Sequence, residues 1–343
     1  MKKTHIIAEM AWGHDGSISQ AIRLLKEAKD CGADSFCIHI TDLPNYMVGY
    51  YGNGEGVVSA GRENLDVYKY LENINISNDE WLKLSAVAKE IDFDLCVMPN
   101  DIHSLEFSEK ALNPEYYVVS PACFAEEDML KAIAKTQKKT FFRIGGGYLA
   151  EIESAINIFR ESGNEKIVLL HGFQNYPTKI EELDLSLLES LKNIFGVEVG
   201  LADHIDGGNP LAKVIPILSL PYGATYIEKH ITLDRSKKSE DFESALNPVD
   251  FKDFVANVRS AEAAIGSASL AKMSEATKKY RNVVRKRVVA SREIQQGEVI
   301  SMDNLTYKRC DVGLTPDKVD CLLGRRAAKN LLEDDIVDFS NVK

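Results

Sequence analysis

The sequence predicts a (β/α)₈ barrel followed by a small β-rich domain, and three observations carry this prediction. Short apolar runs alternate with helical patterns along residues 1–265. Polar side chains cluster where these runs end, and the carboxyl ends of the parallel strands are where a barrel of this kind carries its active site. After about residue 284 the pattern changes to short strands separated by turn residues.

Eight apolar runs of β type precede the change of pattern, and eight is the number of strands in such a barrel. The segments Ser17–Cys31 and Asp79–Ile91 between them carry apolar residues at helical spacing. A doubly wound sheet is the competing fold, but it more often has fewer strands and a glycine-rich first turn. We predict strands over 5–11, 33–40, 93–99, 116–120, 140–144, 166–173, 197–204 and 224–232.

The domain boundaries follow from the same change of pattern. We predict a barrel domain over 1–265, a helical linker over 266–283 and a small domain over 284–343. A domain of about 60 residues has a marginal core, so we expect it to pack on the barrel or on a partner subunit. Its predicted strands are 287–291, 296–300, 305–309 and 322–326.

Composition excludes several classes of protein. The chain has 343 residues, 45% of them hydrophobic, which indicates a globular protein. A net charge of −11 argues against nucleic-acid binding, since no basic surplus is present to displace phosphate counterions. No apolar run is long enough to span a membrane. The six cysteines form no CxxC pair, which is typical of reduced cysteines in the cytoplasm, where we expect the protein to reside.

Two histidines end two of the apolar runs, at His204 and His230. Neutral imidazole is the commonest metal ligand in proteins, and neighbouring strands would bring both rings to one point. Hydrogen bonding of each ring to the backbone is the alternative. A long connection, 41–76, contains Tyr46, Tyr50 and Tyr51 and predicts a lid or a wall of the substrate site.

Many short segments, in this order, resemble the sialic acid synthase family over nearly the full length of the chain. In the barrel they are 6–9, 14–16, 32–34, 163–165, 169–171, 176–178, 203–204 and 228–235. In the tail they are 289–294, 296–300, 308–309 and 323–325, which are similar to the antifreeze-like (SAF) domain of that family.

The resemblance implies a metal-dependent barrel that joins phosphoenolpyruvate to the aldehyde of an N-acetylated sugar. By the same resemblance, His204 and His230 bind a divalent ion, usually manganese. It also implies that Glu9, Tyr176 and Asp241 contact the substrates on the sugar side.

The tail domain adds one implied contact. By resemblance, Arg309 is the arginine that this domain inserts into the active site of the partner subunit, which would make the protein a domain-exchanged homodimer. The alternative for Arg309 is an ordinary surface arginine.

The chain departs from the family on the side that binds phosphoenolpyruvate. The two lysines of the family are replaced by Cys37 and Val118. A buried phosphate needs cationic or hydrogen-bonding groups to offset its desolvation, so the usual donor should bind poorly. The other replacements are Met98 for a polar residue, Pro121 and Cys123 for serine and glutamate, Gln174 for asparagine and Ala202 for serine.

New polar groups stand near the altered positions. His39 shares a face with Cys37, and Arg143 precedes three glycines, 145–147. Arg143 could hold a carboxylate or phosphate of a substrate, or it could pair with an acid inside the barrel. His39 could take the anion, or it could bond to backbone. A catalytic thiol at Cys37 or Cys123 is the alternative to buried structural cysteines.

We therefore predict a divergent enzyme that forms or cleaves a carbon–carbon bond at a sugar aldehyde, in the biosynthesis of a keto-sugar acid for a surface polysaccharide. The alternatives are sugar isomerisation, dehydration or hydrolysis on the same metal scaffold, and a non-catalytic sugar-binding homologue. The predicted catalytic residues are Glu9, His39, Arg143 and Tyr176, and the predicted metal ligands are His204 and His230. The predicted substrate-binding residues are Glu9, Gln174, Tyr176, Asp241 and Arg309.

Overall fold

The chain divides into two compact units, of which the first ends at Gly266 and the second comprises the rest. The structure is a computed structural model and describes residues 3–51, 66–173, 175–266 and 273–343. Helix α10, Glu275–Val284, covers much of the segment predicted as a linker.

Eight parallel strands form a closed barrel in the first unit, and each strand pairs with its neighbours in sequence order. The predicted fold class is therefore confirmed. Most strands are shorter than predicted, because several of the predicted ranges extend beyond the last residue that pairs with a neighbouring strand. They are β1 (His5–Glu9), β2 (Ser35–Ile40), β3 (Asp94–Pro99), β4 (Tyr116–Val119), β5 (Lys139–Arg143), β6 (Ile167–His171), β7 (Glu198–Asp203) and β8 (Ala224–His230).

Helices connect the strands and cover the outside of the barrel. Helix α1 begins after Ser17, whose hydroxyl accepts from the backbone N–H of Gln20. Helix α4 begins with a capping box between Ser77 and Glu80. The helices of this unit are α1 (Ile18–Asp30), α2 (Leu43–Tyr46), α3 (Val67–Ile74), α4 (Asn78–Glu90), α5 (Ile102–Phe107), α6 (Glu127–Lys135), α7 (Leu149–Glu161), α8 (Leu187–Phe195) and α9 (Pro248–Ile265).

The connection between β7 and β8 is a 3₁₀ helix, Ile215–Tyr222, instead of an α-helix. Pro216 and Pro221 explain the difference, because proline lacks the N–H that an α-helix needs. The long connection after β2 contains α2 and α3, while its residues 52–65 lie outside the described residues. Tyr46 lies in α2, and Tyr50 is largely exposed.

Two apolar layers stabilise the first unit, one inside the barrel and one between barrel and helices. Strand alternation separates them, because successive side chains point to opposite faces. The inner layer includes Cys37 and Val118, both fully buried. Its buried members are Ile7, Cys37, Cys96, Met98, Val118, Phe141, Val168, Leu170, Ala202 and Tyr226.

The pairing of β7 with β8 contains an irregularity. The register shifts between Val199 and Gly200, so that Val199 pairs with Ala224 but Gly200 pairs with Tyr226. A β-bulge of this kind inserts an extra residue and bends the strand. Gly200 is required here, because a Cβ at this position would lie 2.7 Å from both Cβ and O of Tyr226.

The second unit has its own small core around an antiparallel pair, β9 (Lys286–Ala290) and β10 (Leu305–Arg309). These strands confirm two of the four predicted for this domain. The other two predictions, 296–300 and 322–326, are wrong, because these segments join through the isolated bridge between Val299 and Arg326. Gly297 and Gly324 within them have positive φ angles, which interrupt extended backbone.

Among the described residues, the structure contains no helix with the length and hydropathy that a membrane span requires.

The bulge gives a test of the fold. We expect Gly200→Ala to lower the free energy of unfolding by about 1–3 kcal/mol, since the added methyl group overlaps Tyr226 and the Leu170 side chain at 2.8 Å. Chemical denaturation measures the change. Gly49→Ala is the control, because its Cβ meets nothing within 4 Å and should change stability by less than about 0.5 kcal/mol. Equal stability of the two variants would contradict the close approach at Gly200.

Candidate active site at the carboxyl end of the barrel

A buried arginine organises one half of the barrel mouth. Arg143 ends β5, and its side chain is only 2% exposed. Its Nη2 donates to Glu9 Oε2 and, at 2.9 Å, to Glu228 Oε2. Its Nε lies 3.2 Å from the same Glu228 oxygen. A guanidinium inside a barrel must be compensated by opposite charge, and strands β1 and β8 supply it.

His39 and Met98 complete the surroundings of the guanidinium. The His39 Nε2 lies 3.2 Å from Glu9 Oε1 and 3.5 Å from Arg143 Nη1. The Met98 Sδ lies 3.4 Å from Arg143 Nη1. Both residues point inward because they share the inner face of β2 and β3 with Cys37 and Cys96. We call Arg143, Glu9, Glu228 and His39 the arginine cluster.

The two carboxylates of the arginine cluster differ in their proton affinity. Burial opposes ionisation of Glu9, but the charges of Arg143 and His39 outweigh it and hold the pKa of Glu9 well below its usual range. Burial, only partly offset by Arg143, together with the charge of Glu9 raises the pKa of Glu228 to about 7. One arginine thus stabilises one carboxylate fully and the other only in part.

Both oxygens of Glu9 are occupied within the protein. Oε1 accepts from the backbone N–H of Ala11 at 2.5 Å and lies near His39, while Oε2 accepts from Arg143. Of the two arrangements left open for Arg143, the structure therefore shows pairing with internal acids.

The glycines after Arg143 have a structural reason of their own. A Cβ at Gly145 would lie 2.3 Å from the carbonyl oxygen of Gly172 and 2.5 Å from the Cα of Phe173. The turn after β5 thus approaches the end of β6 too closely for a side chain. Beside it, a cavity of about 440 Å³ is lined by Pro121, Ala122, Phe124, Ala125, Arg143, Ile144, Gly145, Gly146, Gly147 and Glu151.

Two histidine rings form the other half of the mouth. His204 follows β7 and His230 ends β8, and their ring centroids lie 5.2 Å apart. Tyr176 packs edge-on against both, at 5.1 Å from His204 and 5.7 Å from His230. The structure thus brings together three of the predicted site residues. The two histidine side chains are buried, whereas Tyr176 is partly exposed.

The nitrogens of these rings are available to a ligand. Within the described ranges, both ring nitrogens of His204 and the Nε2 of His230 are buried without a hydrogen-bond partner. Burial lowers the pKa of His230 to about 3 and that of His204 well below its usual range, so both rings are neutral. A buried, neutral and unpartnered imidazole pair fits a divalent metal, since metals bind the neutral form.

Asp241 belongs to the same side of the mouth. It lies in the segment after β8, is 8% exposed and has a left-handed backbone conformation. Burial first, and then the charge of Asp241, raises the pKa of Tyr176 well above its usual range. The Tyr176 hydroxyl therefore stays protonated at neutral pH.

Two further predicted site residues are Gln174 and Arg309. Gln174 lies outside the described residues. Arg309 belongs to the second unit, where its Nη2 donates to the backbone carbonyl of Val283 at 3.2 Å.

Cys37 and Cys123 are buried thiols. Burial raises the pKa of Cys37 well above its usual range and that of Cys123 to about 12. Ligand atoms of Glu9, Cys37 and His39 lie within 4.8 Å of one another, which is close enough to share a cation. Arg143 contacts the same Glu9 carboxylate and lies 3.9 Å from Cys37 Sγ, so its positive charge opposes a cation there.

Sequence reasoning missed Glu228, although a signal was available. Glu228 stands two residues before His230 in β8, and strand alternation puts both on the inner face. It also missed the buried ion pair between Asp203 and Lys229, which lies on the outer face of β7 and β8.

Comparisons with known proteins cover both units. The NeuB family model matches residues 24–269, and the SAF domain model matches residues 285–343. The chain is 30% identical over 339 residues to the N,N'-diacetyllegionaminic acid synthase of Campylobacter jejuni, covering 98% of this chain and 99% of that protein. It is 31% identical over 344 residues to a pseudaminic acid synthase of Campylobacter jejuni, covering 100% and 97%.

A solved structure supports the fold. The N-acetylneuraminic acid synthetase of Leptospira borgpetersenii aligns with a TM-score of 0.70 at 23% identity, over 82% of this chain and 93% of that one. The predicted resemblance is confirmed, and the chain belongs to the NeuB family, the sialic acid synthases, with a SAF domain at its carboxyl end.

Proposed function

We propose that this chain is a metal-dependent enzyme that makes or cleaves a carbon–carbon bond at a sugar aldehyde, in the biosynthesis of a keto-sugar acid. The proposal rests on one observation. The arginine cluster fills one half of the mouth, the half to which the resemblance assigns phosphoenolpyruvate, while the described side chains leave ring nitrogens of the two neighbouring histidines unpartnered. The relatives that synthesise legionaminic and pseudaminic acids support the sugar class.

The donor side is unsuited to phosphoenolpyruvate. A phosphate group carries a charge of about −1.5 to −2, and desolvating it requires cations or hydrogen-bond donors. Cys37 and Val118 offer neither, and the charge of Arg143 is already balanced by Glu9 and Glu228. The cavity beside Arg143 adds the carboxylate of Glu151. We infer that a different small 2-keto acid, which carries a carboxylate but no phosphate group, replaces the phosphorylated donor.

His204 and His230 would hold the divalent ion, for which we propose Mn²⁺. When bound, such an ion supplies a Lewis acid that polarises a carbonyl oxygen. The protonated hydroxyl of Tyr176 can donate to a substrate oxygen, and its ring excludes water from the two imidazoles. Asp241 would orient sugar hydroxyls at the same edge.

The arginine cluster also favours a second candidate, which is isomerisation, dehydration or hydrolysis of a sugar on the same scaffold. None of these reactions needs a phosphorylated donor. If the assay below shows that sugar binds but is not converted, the protein is a sugar-binding homologue without catalytic activity.

The metal proposal predicts that His204→Ala and His230→Ala each lose bound metal. The wild-type protein is loaded with Mn²⁺, desalted and analysed by elemental mass spectrometry. His103→Ala is the control, since His103 is exposed and should retain the wild-type content. Unchanged metal in both site variants would disprove the proposed ligands.

The donor proposal predicts no phosphate release when Mn²⁺-loaded protein is incubated with N-acetylated aldoses and phosphoenolpyruvate. The sugar alone should raise the melting temperature, because it binds only the folded state. Pseudaminic acid synthase from Campylobacter jejuni serves as positive control under the same conditions. Phosphate release that depends on both substrates would overturn the claim that the donor site is disabled.

The arginine cluster predicts a large stability effect for Arg143→Met. Removing the guanidinium leaves Glu9 and Glu228 buried without a counter-charge, which should cost about 3–5 kcal/mol. The matched control is Arg259→Met, because Arg259 also lies between two carboxylates, Asp34 and Glu262, but is 26% exposed and should cost about 1 kcal/mol. Chemical denaturation compares them, and equal losses would refute the structural role of the cluster.

We propose, finally, that the protein is a homodimer in which Arg309 of one subunit completes the site of the other. Sedimentation equilibrium should then give twice the chain mass of 38.2 kDa. A monomer at micromolar concentration would contradict this assembly.

A further inference from the structure

A second buried ion pair lies behind the two histidines. Lys229 Nζ donates to Asp203 Oδ2 at 2.5 Å, and neither side chain has any exposed surface. The two residues are register partners across β7 and β8. Asp203 directly precedes His204, and Lys229 directly precedes His230.

The ion pair points away from the barrel interior. Ala202 and Tyr226 belong to the inner apolar layer, and Glu228 reaches Arg143 inside the barrel. Since side chains alternate along a strand, Asp203 and Lys229 point to the opposite, outer face. The pair therefore cannot contact a substrate at the mouth.

We propose that Asp203 and Lys229 are positioning residues that set the register of β7 against β8, and thereby hold the rings of His204 and His230 side by side. The metal-related consequence of this inference rests on the proposed function. The register itself does not.

The bulge explains why a contact that fixes the register of β7 against β8 is useful. Pairing is shifted at Gly200, so the first part of the ladder does not determine the pairing beyond it. A slip by one residue would turn every side chain to the other face of its strand. Asp203 and Lys229 are the last pair of the ladder, directly before the histidines.

Other hydrogen bonds also hold the backbone around His204 and His230 in place. Asp203 Oδ1 accepts from the N–H of Ile205 at 3.4 Å, so this carboxylate is bonded to the backbone on the far side of His204. The carbonyl of His204 accepts from Thr178 N at 2.8 Å and from Ser244 Oγ at 2.6 Å. The carbonyl of His230 accepts from Leu246 N at 3.0 Å.

Stability alone is a poor reason for the ion pair. Burying two charges costs desolvation that their attraction often fails to repay, and apolar replacements can be neutral or stabilising. A directional ion pair between Asp203 and Lys229 restricts the strand register further than the hydrophobic pattern does, because it is satisfied only when these two residues face each other.

The test replaces the ion pair by apolar residues, Asp203→Leu with Lys229→Met. Full-length protein is labelled with ¹⁵N-histidine, which gives seven ring systems, and the site rings are assigned through single His→Gln variants. In metal-free protein we expect the His204 and His230 ring signals to shift or broaden. His14, which is buried against Trp81 at 5.5 Å, should keep its wild-type signal. Wild-type signals from both site rings would overturn the inference.

A matched control uses the ion pair at the opposite end of the barrel. Lys139 and Glu198 lie 2.6 Å apart near the amino ends of β5 and β7. The double variant Lys139→Met with Glu198→Leu should leave the His204 and His230 signals unchanged. Shifts as large as those of the first variant would mean that any loss of barrel stability moves the rings, and would refute a specific positioning role.

A polar double variant keeps the inference testable if the apolar one does not fold. Asp203→Asn with Lys229→Gln retains a neutral hydrogen bond, which holds the strands more weakly. We expect faster amide hydrogen exchange at residues 204–205 and 230–231 than in the wild type. Unchanged exchange at these amides would overturn the inference.

The metal gives a readout that separates this inference from the proposed function. In wild-type protein we expect Co²⁺ to produce a visible absorption band, and the apolar double variant should bind Co²⁺ about 10- to 100-fold more weakly. If the wild-type protein binds no Co²⁺, the metal proposal fails while the ring signals still decide the positioning role. Equal Co²⁺ affinity of variant and wild type would contradict the positioning role.

Discussion

The buried guanidinium of Arg143 imposes the strongest constraint on this molecule. A charge enclosed in the barrel is tolerated only with opposite charge at hydrogen-bonding distance, and Glu9 and Glu228 meet that requirement from β1 and β8. Three strands that are distant in sequence are thereby tied together across the barrel. The inner apolar layer below depends on this closure, because Met98 and Cys37 pack against the same guanidinium.

The barrel mouth consequently has two halves with different chemistry. In one half, charges are paired within the protein and leave little attraction for an anion. In the other half, neutral rings keep unpartnered nitrogens among the described residues, which suits a metal ion. Glu9 and His230 are register partners on neighbouring strands, so the two halves share an edge.

The outer face of the same strands completes this arrangement. Asp203 and Lys229 form a second buried ion pair behind the histidines, at the end of a ladder whose register shifts at a bulge. Charge pairs therefore lie on both faces of β8, one through Glu228 and one through Lys229. Each restricts the position of the strand that carries His230.

The sequence by itself determined the eight strands, two of the connecting helices and the positions of polar residues at strand ends, because periodicity is a local property. It also placed His204 and His230 on neighbouring strands. Only the tertiary structure decided the partners of Arg143, since Glu9 and Glu228 lie 134 and 85 residues away along the chain. A lone sequence carries no signal for such contacts across a barrel. The failed strands at 296–300 and 322–326 have the same cause, since long-range pairing and not local pattern decides whether an extended segment joins a sheet.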